Sequence, residues 1–444
     1  MRPTKALARS VGFIALFALT VTPARSQQIS KFDRARAQDM LHDIASDVRK
    51  HYYDPKFHGF DWDAKVREAK EKIDKAETLN LALSQVAAAL YTLNDSHTFF
   101  LPPPRPYRHD YGYHTRMIGD RCYIIRVRPQ SDAEAKGVKP GDQILTVNGF
   151  VPARDNFWTI GYVFSTLRPQ RSLRLQLQDP AGSRREVEVM AKLTELKRVA
   201  DLTAAGGGND IWEMVRESEN EQRLMRARTV EFKNNEEVLF LNFPHFMFSE
   251  SELNAILERI RKHKALVLDL RGNPGGSVEI LKQFAGDMFE KEVKIGDRVG
   301  RDLNKPMLTK ARGGPFTGKL IVLVDSRSAS AAELFARLVQ IEKRGVVLGD
   351  RTSGSVMEAK RYSYSVGQET RVFFGASITD ADVVMTDGKS LEHAGLIPDE
   401  VVLPTAADLA SGRDPVLARA AELAGVKLSP EAAGKMFPYE WPKN

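Results

Sequence analysis

The sequence is poor in the residues that crosslink a protein or bind metal. Cys122 is the only cysteine among 444 residues, so no intrachain disulfide can form and the hydrophobic cores must hold the fold. Cys122 lies in an apolar, strand-like run, which favours a buried position over a chemical role. No group of cysteine and histidine residues has the spacing of a zinc site. We therefore expect neither a disulfide nor a metal site.

Long apolar runs are also scarce. One run, Val11–Val21, follows three basic residues within the first nine positions and precedes small residues at positions 24 and 26. This order predicts a cleaved signal peptide over residues 1–26. The alternative is an uncleaved membrane anchor, but the run is much shorter than the roughly 20 residues that a spanning helix needs. We expect an exported protein, periplasmic or secreted, without an integral membrane segment after signal removal.

Much of the positive charge lies in this first segment. Residues 1–26 contain four basic residues and no acidic one, so the formal charge falls from +7 to +3 when they are removed. The balance of 42% hydrophobic and 28% charged residues is ordinary for a globular protein, and the length predicts two or three domains. The composition therefore gives no reason to expect a nucleic-acid partner.

Residues 33–92 have apolar side chains spaced three and four positions apart. Met40, Ile44 and Val48 illustrate this spacing, which is typical of helices that bury one face. We predict a helical N-terminal region over residues 27–102, which ends in an Asp-Ser-His-Thr motif and a run of three prolines.

Short alternating strands follow in residues 103–195. Their central string, Ser131–Gly149, contains a short helix, a Gly-Val turn, a Pro-Gly-Asp turn and a hairpin that ends at Asn-Gly. This string closely resembles a PDZ domain of the bacterial peptidase type. The resemblance implies a groove in which an extended peptide adds as a strand and its terminal carboxylate binds backbone amides.

After a polar, glycine-rich linker at residues 196–229, apolar strands alternate with amphipathic helices. This order predicts an α/β core with a largely parallel sheet over residues 230–425, followed by a tail at 426–444. The predicted strands are Val238–Asn242, Ala265–Leu270, Leu320–Asp325 and Val346–Leu348, and the predicted helices are Ser249–His263, Val278–Phe289 and Ala331–Glu342.

Asp269–Gly276 is a strand end that runs into a glycine-rich turn before a helix. Glycine allows the backbone angles that point amides at a substrate oxygen, and the helix N-terminus adds partial positive charge. A phosphate-binding loop is the rival interpretation, although no Gly-Lys-Ser/Thr follows. Asp269 and Arg271 are predicted to brace the turn by ion pairing and hydrogen bonding.

The segment Ser326–Leu334 places small residues where a second strand turns into a helix. A nucleophilic serine needs this position, because its oxygen projects into a cleft while the following amide helps to bind an oxyanion. The alternative role is a helix N-cap, and three serines here allow one to cap while another reacts. Glu333 fits a capping-box acid at the same helix start.

These motifs, together with Gly349–Gly354, resemble the core of the C-terminal processing peptidases. The resemblance covers nearly the whole chain after residue 26, in the order helical region, inserted PDZ and core. It implies a crotonase-like α/β core, Ser330 as nucleophile, and the backbone amides of Gly275 and Ala331 as oxyanion donors, with Gly276 in a supporting position.

One position departs from that family. In the processing peptidases a lysine is the general base, and the aligned residue here is Ser355. Lys360 lies five positions further on and would need a shifted loop to take this role. A different base is required.

A second branch, resembling the tricorn core protease, has a Ser-His pair ahead of the core, a nucleophilic Ser and a Glu near the end of the core. Ser96, His97, Ser330 and Glu392 match these positions. Imidazole, with a pKa near 6.5, can take a serine proton without being permanently charged. The resemblance implies His97 as base, Ser96 as the residue that orients its ring and Glu392 as a supporting acid. A structural histidine is the alternative for His97, and His393 is assigned that role.

The sequence thus predicts an exported serine endopeptidase that cleaves proteins or C-terminal tails through an acyl-enzyme, without a metal or organic cofactor. Its expected partner is a peptide or an unfolded protein, engaged through the PDZ-like groove. The main alternative is a catalytically inactive PDZ-containing scaffold of the cell envelope. A crotonase-type acyl-CoA enzyme is a third hypothesis, on fold analogy alone.

Overall fold

The structure is a computed structural model that describes residues 28–195, 231–234, 237–301, 304–310, 314–367 and 371–441. The predicted signal peptide and the predicted linker lie outside these ranges. Helices and strands are mixed along the described chain, and the predicted α/β class is confirmed.

In the described residues, three α-helices precede the first strand. Each begins after a polar residue, Ser30, Asp61 or Thr78, whose side chain accepts a hydrogen bond from the amide three positions on. The apolar residues of the first helix, such as Ile44 and Val48, are buried, as their spacing predicts. These elements are α1 Lys31–His51, α2 Trp62–Asp74, α3 Leu79–Tyr91 and β1 Phe99–Leu101.

The middle of the chain forms an antiparallel sheet in the order β3-β4-β5-β6-β7, with a separate β2–β8 pair. A short helix and a strand ending at Val147 lie within the Ser131–Gly149 string, as predicted. The assignment of this unit as a PDZ domain stays a prediction. Its elements are β2 Tyr107–Asp110, β3 Tyr113–Ile118, β4 Arg121–Val127, α4 Asp132–Ala135, β5 Gln143–Val147, α5 Phe157–Tyr162, β6 Ser172–Gln178, β7 Arg184–Met190 and β8 Lys192–Glu195.

A six-stranded sheet in the order β18-β15-β14-β11-β10-β9 forms the centre of the core. All neighbouring pairs are parallel except β9–β10. Buried helices cover both faces, because the strands are apolar on both sides. The elements up to β15 are β9 Glu231–Asn234, β10 Val238–Asn242, α6 Glu250–Ile260, β11 Ala265–Asp269, α7 Val278–Gly286, β12 Lys294–Gly300, β13 Asn304–Leu308, β14 Lys319–Val324, α8 Ala331–Ile341 and β15 Val346–Gly349.

A second sheet, which the strand patterns did not reveal, joins the N-terminal region to the core. Its strands are ordered β1-β17-β12-β13, with β16 also pairing with β17. Phe99 of β1 pairs with Ser377 of β17. The Ser-His motif comes immediately before β1 in the chain, so this pairing fixes the position of the motif relative to the core. The remaining elements are β16 Glu358–Val366, β17 Val372–Met385, β18 Glu400–Val401, α9 Ala406–Ser411, α10 Pro415–Leu423 and α11 Pro430–Gly434.

The middle sheet contacts the core next to the strand ends. Arg116 lies 3.0 Å from the Asp325 carboxylate, and Arg154 lies 2.7 Å from Asp350. The last described residues also pack here, with the Trp441 ring centroid 4.4 Å from that of His114. These contacts hold the middle sheet beside the segment that leads to Ser330.

Candidate active site

Ser330 stands between β14 and α8 in a backbone conformation that is rare for a residue with a side chain. Its φ of 53° and ψ of −121° lie outside the helical and extended regions. Strain of this kind persists only where the surrounding structure imposes it, and it clusters at active sites. A sharp turn from strand to helix is also the geometry that exposes a nucleophilic serine.

The two neighbouring serines have structural partners. The Ser326 hydroxyl donates to the Met117 carbonyl at 2.6 Å, and the Ser328 hydroxyl donates to the Leu270 carbonyl at 2.8 Å. Both hydroxyls therefore connect the turn to adjacent strands, while Ser330 itself occupies the N-cap position of α8.

Gly275 lies directly against the nucleophile. A Cβ at this position would meet the Ser330 Cβ at 2.7 Å and the Ala331 amide nitrogen at 3.0 Å, and the glycine has a φ of +91°. Only glycine fits here without displacing the turn. Ala331 is the first residue of α8, where backbone amides have no acceptor within the helix, so its N–H suits an oxyanion.

Asn273 is a residue whose role the sequence analysis missed. It is fully buried, its Nδ2 donates to the Phe243 carbonyl at 2.7 Å, and its carbonyl accepts from the Ala329 amide at 2.9 Å. Its Oδ1 accepts from the Gly275 amide at 2.8 Å, so the expected oxyanion donor on Gly275 is already engaged. An asparagine inside a glycine-rich turn was the available signal.

Ion pairs between side chains stabilise the start of the glycine-rich turn. The Arg271 guanidinium contacts Asp269 at 2.6 Å and Asp414 at 2.7 Å, and Gly272 donates its amide to Asp325 at 2.9 Å. Burial would lower the pKa of Arg271, but the two carboxylates raise it well above its usual value. Asp269 and Arg271 therefore stabilise the turn, and Asp414, the residue that caps the start of α10, adds a partner that local sequence did not indicate.

Gly276 brings the same turn against a neighbouring segment. A Cβ here would meet the Phe246 carbonyl oxygen at 2.5 Å. The residue therefore permits a backbone contact that a larger side chain would prevent.

Glu333 accepts hydrogen bonds from the loop that follows β15. Its buried carboxylate accepts from the Ser330 amide at 3.2 Å, the Thr352 hydroxyl at 2.5 Å, the Gly354 amide at 2.8 Å and the Ser355 amide at 2.9 Å. Burial raises the pKa of Glu333 to about 7, against these hydrogen bonds. The residue does more than cap the helix, because it joins the Ser330 turn to residues 352–355.

Ser96, His97 and Glu392 form a second cluster. The Ser96 Oγ lies 2.7 Å from His97 Nδ1, and it donates to Glu392 Oε2 at 3.0 Å. Glu392 Oε1 also accepts from the Ser96 amide at 2.7 Å. Ser96 therefore contacts both His97 and Glu392, although Glu392 is almost three hundred positions away in sequence.

These contacts decide which nitrogen of His97 is the base. The Ser96 hydroxyl has one proton, which it donates to the Glu392 carboxylate, so its oxygen accepts from Nδ1–H of His97. Nε2 then keeps its lone pair and can accept a proton. The arrangement thus selects the tautomer that a general base requires.

One short segment connects the two clusters. The Ser330 amide donates to the Ser355 carbonyl at 2.8 Å, and the next residue, Val356, donates its amide to Glu392 Oε2 at 3.0 Å. Residues 355 and 356 therefore connect the Ser330 turn to the Glu392 carboxylate. Among the described residues, no hydrogen bond joins Ser330 Oγ to His97.

The pKa shifts in the second cluster favour a neutral His97 ring, as a general base requires. Burial lowers the pKa of His97 below its usual 6.5, and the nearby charge of Asp95 opposes the shift. Burial raises the pKa of Glu392, against hydrogen bonds from Val356 and Ser96 and the charge of His393.

Two residues considered from sequence lie apart from this chemistry. Lys360 is exposed on β16, and its ammonium lies 3.1 Å from Asp380. His393 Nε2 contacts the Asn94 carbonyl at 2.7 Å, in keeping with a structural role. The structure therefore gives no support to Lys360 as a replacement for the missing lysine.

In the parts of the chain that the structure describes, no group of three or more His, Cys, Asp or Glu side chains could hold a metal ion. Across the same residues, no helix has the length and apolar character for a membrane span. Cys122 is buried, and burial raises the pKa of its thiol to about 12.

Sequence comparison relates the core and the N-terminal helical region to peptidases. Residues 237–402 match peptidase family S41, and residues 33–78 match the tricorn protease C1 domain. The chain is 25% identical over 288 residues to the carboxyl-terminal-processing protease of Picosynechococcus sp., covering 64% of this chain and 61% of that protein. It is 25% identical over 283 residues to CtpA, the carboxy-terminal processing protease of Bacillus subtilis, covering 62% and 53%. The matches thus span between half and two thirds of these curated relatives.

Solved structures show the same fold at lower identity. Mature CPAF complexed with lactacystin superposes with a TM-score of 0.63 at 16% identity, covering 85% of this chain and 96% of that one. The photosystem II D1 C-terminal processing protease gives a TM-score of 0.50 at 16% identity, covering 85% and 94%.

Proposed function

We propose that the chain is a tricorn-type, C-terminal-processing serine peptidase, an exported endopeptidase that acts on proteins or their C-terminal tails, as its matches to peptidase family S41 and to the tricorn protease C1 domain support. Ser330 is the nucleophile and His97 is its general base. The observation that carries the proposal is the Glu392–Ser96–His97 chain of hydrogen bonds, held to the Ser330 turn by residues 355 and 356.

The reaction is acyl transfer. His97 Nε2 takes the Ser330 hydroxyl proton as the oxygen attacks a peptide carbonyl, and the imidazolium then protonates the leaving amine. Water releases the acyl-enzyme by the reverse path. Ser96 and Glu392 keep the proton on Nδ1 and stabilise the positive ring. No metal or organic cofactor takes part in these steps.

The developing oxyanion is bound by backbone amides. Ala331 supplies one N–H at the start of α8, where the helix dipole adds to its effect. Gly275 is the proposed second donor, because its α-carbon faces the same space beside Ser330. To act as an oxyanion donor, the Gly275 amide must share or break its hydrogen bond to the Asn273 side chain. Substrate binding therefore includes a small adjustment of the glycine-rich turn.

Binding also has to bring Ser330 and His97 into hydrogen-bond contact. Catalytic hydrogen bonds are often long or misaligned without substrate and tighten in the complex. The two residues belong to different segments, which are connected through the residue 355–356 link and the β1–β17 pairing. We expect a movement of one segment relative to the other to bring Ser330 and His97 together.

Each predicted domain has a separate role in this proposal. Residues 1–26 direct export to the periplasm or the medium, residues 27–102 carry the Ser-His motif, and residues 230–425 form the peptidase core. Residues 103–195 form a PDZ-like unit that either captures the substrate segment or gates the site. Strand β3 is an edge of its sheet and could pair with an extended peptide.

Peptide cleavage by site variants tests the proposal. The mature protein is incubated with unfolded or tailed peptides alongside Ser330→Ala, His97→Ala and, as a matched control, Lys360→Ala. We expect wild type and Lys360→Ala to cleave and the other two to lose nearly all activity. A serine-directed fluorophosphonate should add to Ser330, as read by intact mass. Equal cleavage by Ser330→Ala refutes the site, and peptide binding without cleavage or labelling supports the scaffold alternative.

A further inference from the structure

Asp95 lies immediately before the Ser-His pair and binds the backbone that carries the base. Its Oδ1 accepts from the His97 amide at 2.9 Å, the Thr98 amide at 2.7 Å and the Thr379 hydroxyl at 2.6 Å. Thr379 belongs to β17, so this one oxygen ties the His97 segment to the core sheet. The imidazole position therefore depends on a contact outside the Ser96–Glu392 cluster.

The second oxygen of Asp95, Oδ2, is buried. The buried Tyr52 hydroxyl lies close to this carboxylate: burial, the charge of Asp95 and a side-chain hydrogen bond to Asp95 all raise the pKa of Tyr52. The same hydroxyl also contacts His58 Nε2 and the Leu93 carbonyl. Asparagine would make the same turn without a buried charge.

We propose that Asp95 is a positioning residue for His97: Oδ1 fixes the backbone of the base, and the negative charge stabilises the imidazolium that forms when His97 takes the Ser330 proton. This inference rests on the proposed function. In the step concerned, the Ser330 O–H bond breaks, an N–H bond forms at His97 Nε2, and the positive charge stays on the ring. A carboxylate beside the ring favours that charged state.

Asp95 is the charged group that acts on His97. The other titratable groups packed around Asp95 and Glu392 are Tyr52 and Tyr53 after α1, Asp54, Asp382 on β17 and His393 before β18. The His97 pKa is lowered by burial and raised by Asp95. Removing the Asp95 charge should therefore lower it further.

Two substitutions separate the two roles. Asp95→Asn keeps an oxygen acceptor and removes the charge, whereas Asp95→Glu keeps the charge on a longer side chain that fits the two amides poorly. Asp54→Asn is the matched control, because Asp54 also accepts from two nearby amides, those of Lys56 and His58, and makes no contact with the cluster. Thermal unfolding checks that each variant folds.

The first measurement is the His97 pKa by NMR titration in a Ser330→Ala background, with its signal assigned from its loss in His97→Gln. It needs no activity, so it separates this inference from the proposed function. Asp95→Asn should lower the pKa by about one unit, and Asp95→Glu and Asp54→Asn should leave it unchanged. An unchanged pKa in Asp95→Asn overturns the electrostatic role. If Asp95→Asn does not fold, a pKa lowered in Asp95→Glu overturns it instead.

The second measurement is peptide cleavage across pH. In Asp95→Asn, the acid limb of kcat/KM should move to lower pH and KM should stay within about twofold of wild type. Asp95→Glu should keep the wild-type limb but lose about tenfold or more in kcat, because the ring is displaced. A wild-type kcat in Asp95→Glu overturns the positioning role.

Discussion

Glu392 binds both the backbone and the side chain of Ser96: one carboxylate oxygen lies 2.7 Å from the amide and the other 3.0 Å from the hydroxyl. This two-point contact orients Ser96 so that its oxygen faces His97. The acid thus acts on the base through a serine, and its removal should affect the chemical step more than substrate binding.

Glu392→Gln should lower kcat by about two orders of magnitude with little change in KM. A glutamine amide can donate to the Ser96 oxygen and reverse the hydroxyl, which favours the wrong tautomer of His97. Steady-state kinetics at saturating peptide measure the effect. Glu358→Gln, which disturbs only a pair with Arg298, is the control and should keep wild-type kcat. Wild-type turnover in Glu392→Gln would remove this residue from the mechanism.

Gly275→Ala should abolish cleavage. The new methyl group would meet the Ser330 Cβ at 2.7 Å and the Ala331 nitrogen at 3.0 Å, so it disturbs the nucleophile and fills the oxyanion space. Gly272→Ala is a matched control, because that glycine also has a positive φ, +73°, but no atom lies within 4 Å of the added methyl. Peptide cleavage and thermal unfolding of both variants should show similar folding and a loss of activity in Gly275→Ala alone. Equal activity would place the oxyanion elsewhere.

Glu333 should make stability fall as pH rises. Its pKa is raised to about 7 in the folded protein, from 4.5, so between these values the unfolded chain releases a proton that the folded chain retains. The contribution is lost with increasing pH in that window, by up to about 3 kcal/mol. Urea unfolding of wild type and Glu333→Gln at pH 5 and pH 8 measures the difference. A wild type that gains stability toward pH 8 relative to Glu333→Gln would mean that the pKa of Glu333 in the folded protein is lowered instead of raised.

Activity should persist below pH 6.5. Because burial lowers the pKa of His97, the ring stays neutral to lower pH than a free imidazole and loses its function only as pH falls through the lowered value. The acid limb of kcat/KM against pH should therefore have its midpoint below 6.5. A midpoint clearly above that value would contradict a buried neutral histidine as the base.

The local chemistry around Ser330 could be predicted from neighbouring residues. Apolar runs predicted β11 and β14, and helical spacing predicted α8, because burial and periodicity are properties of short segments. Small residues at the strand end and glycines in the preceding turn then indicated where a nucleophile and its oxyanion donors could lie. Glycine is required where Gly275 meets Ser330; the residue itself is visible in the sequence, but the contact that requires it is not.

Resemblance to the family identified catalytic residues that hydrophobic periodicity could not indicate. The Ser96–His97 pair and Glu392 were singled out by motif, and the tertiary structure brings them into hydrogen-bond contact. Neither their sequence positions nor their residue types would have placed them together, because the distance between them depends on how the chain returns across the core.

The tertiary structure alone decided the contacts that tune this site. Pairing of β1 with β17, the link from Ser355 and Val356 to both clusters, and the hydrogen bond from Thr379 to Asp95 all join segments far apart in the chain. So does the Asn273 network around the glycine-rich turn. Such contacts follow from sheet register and close packing, in which one oxygen is placed within tenths of an ångström by many distant residues. The sequence determined the residue types and local turns of the site, and the packing of distant segments determined its geometry and charge.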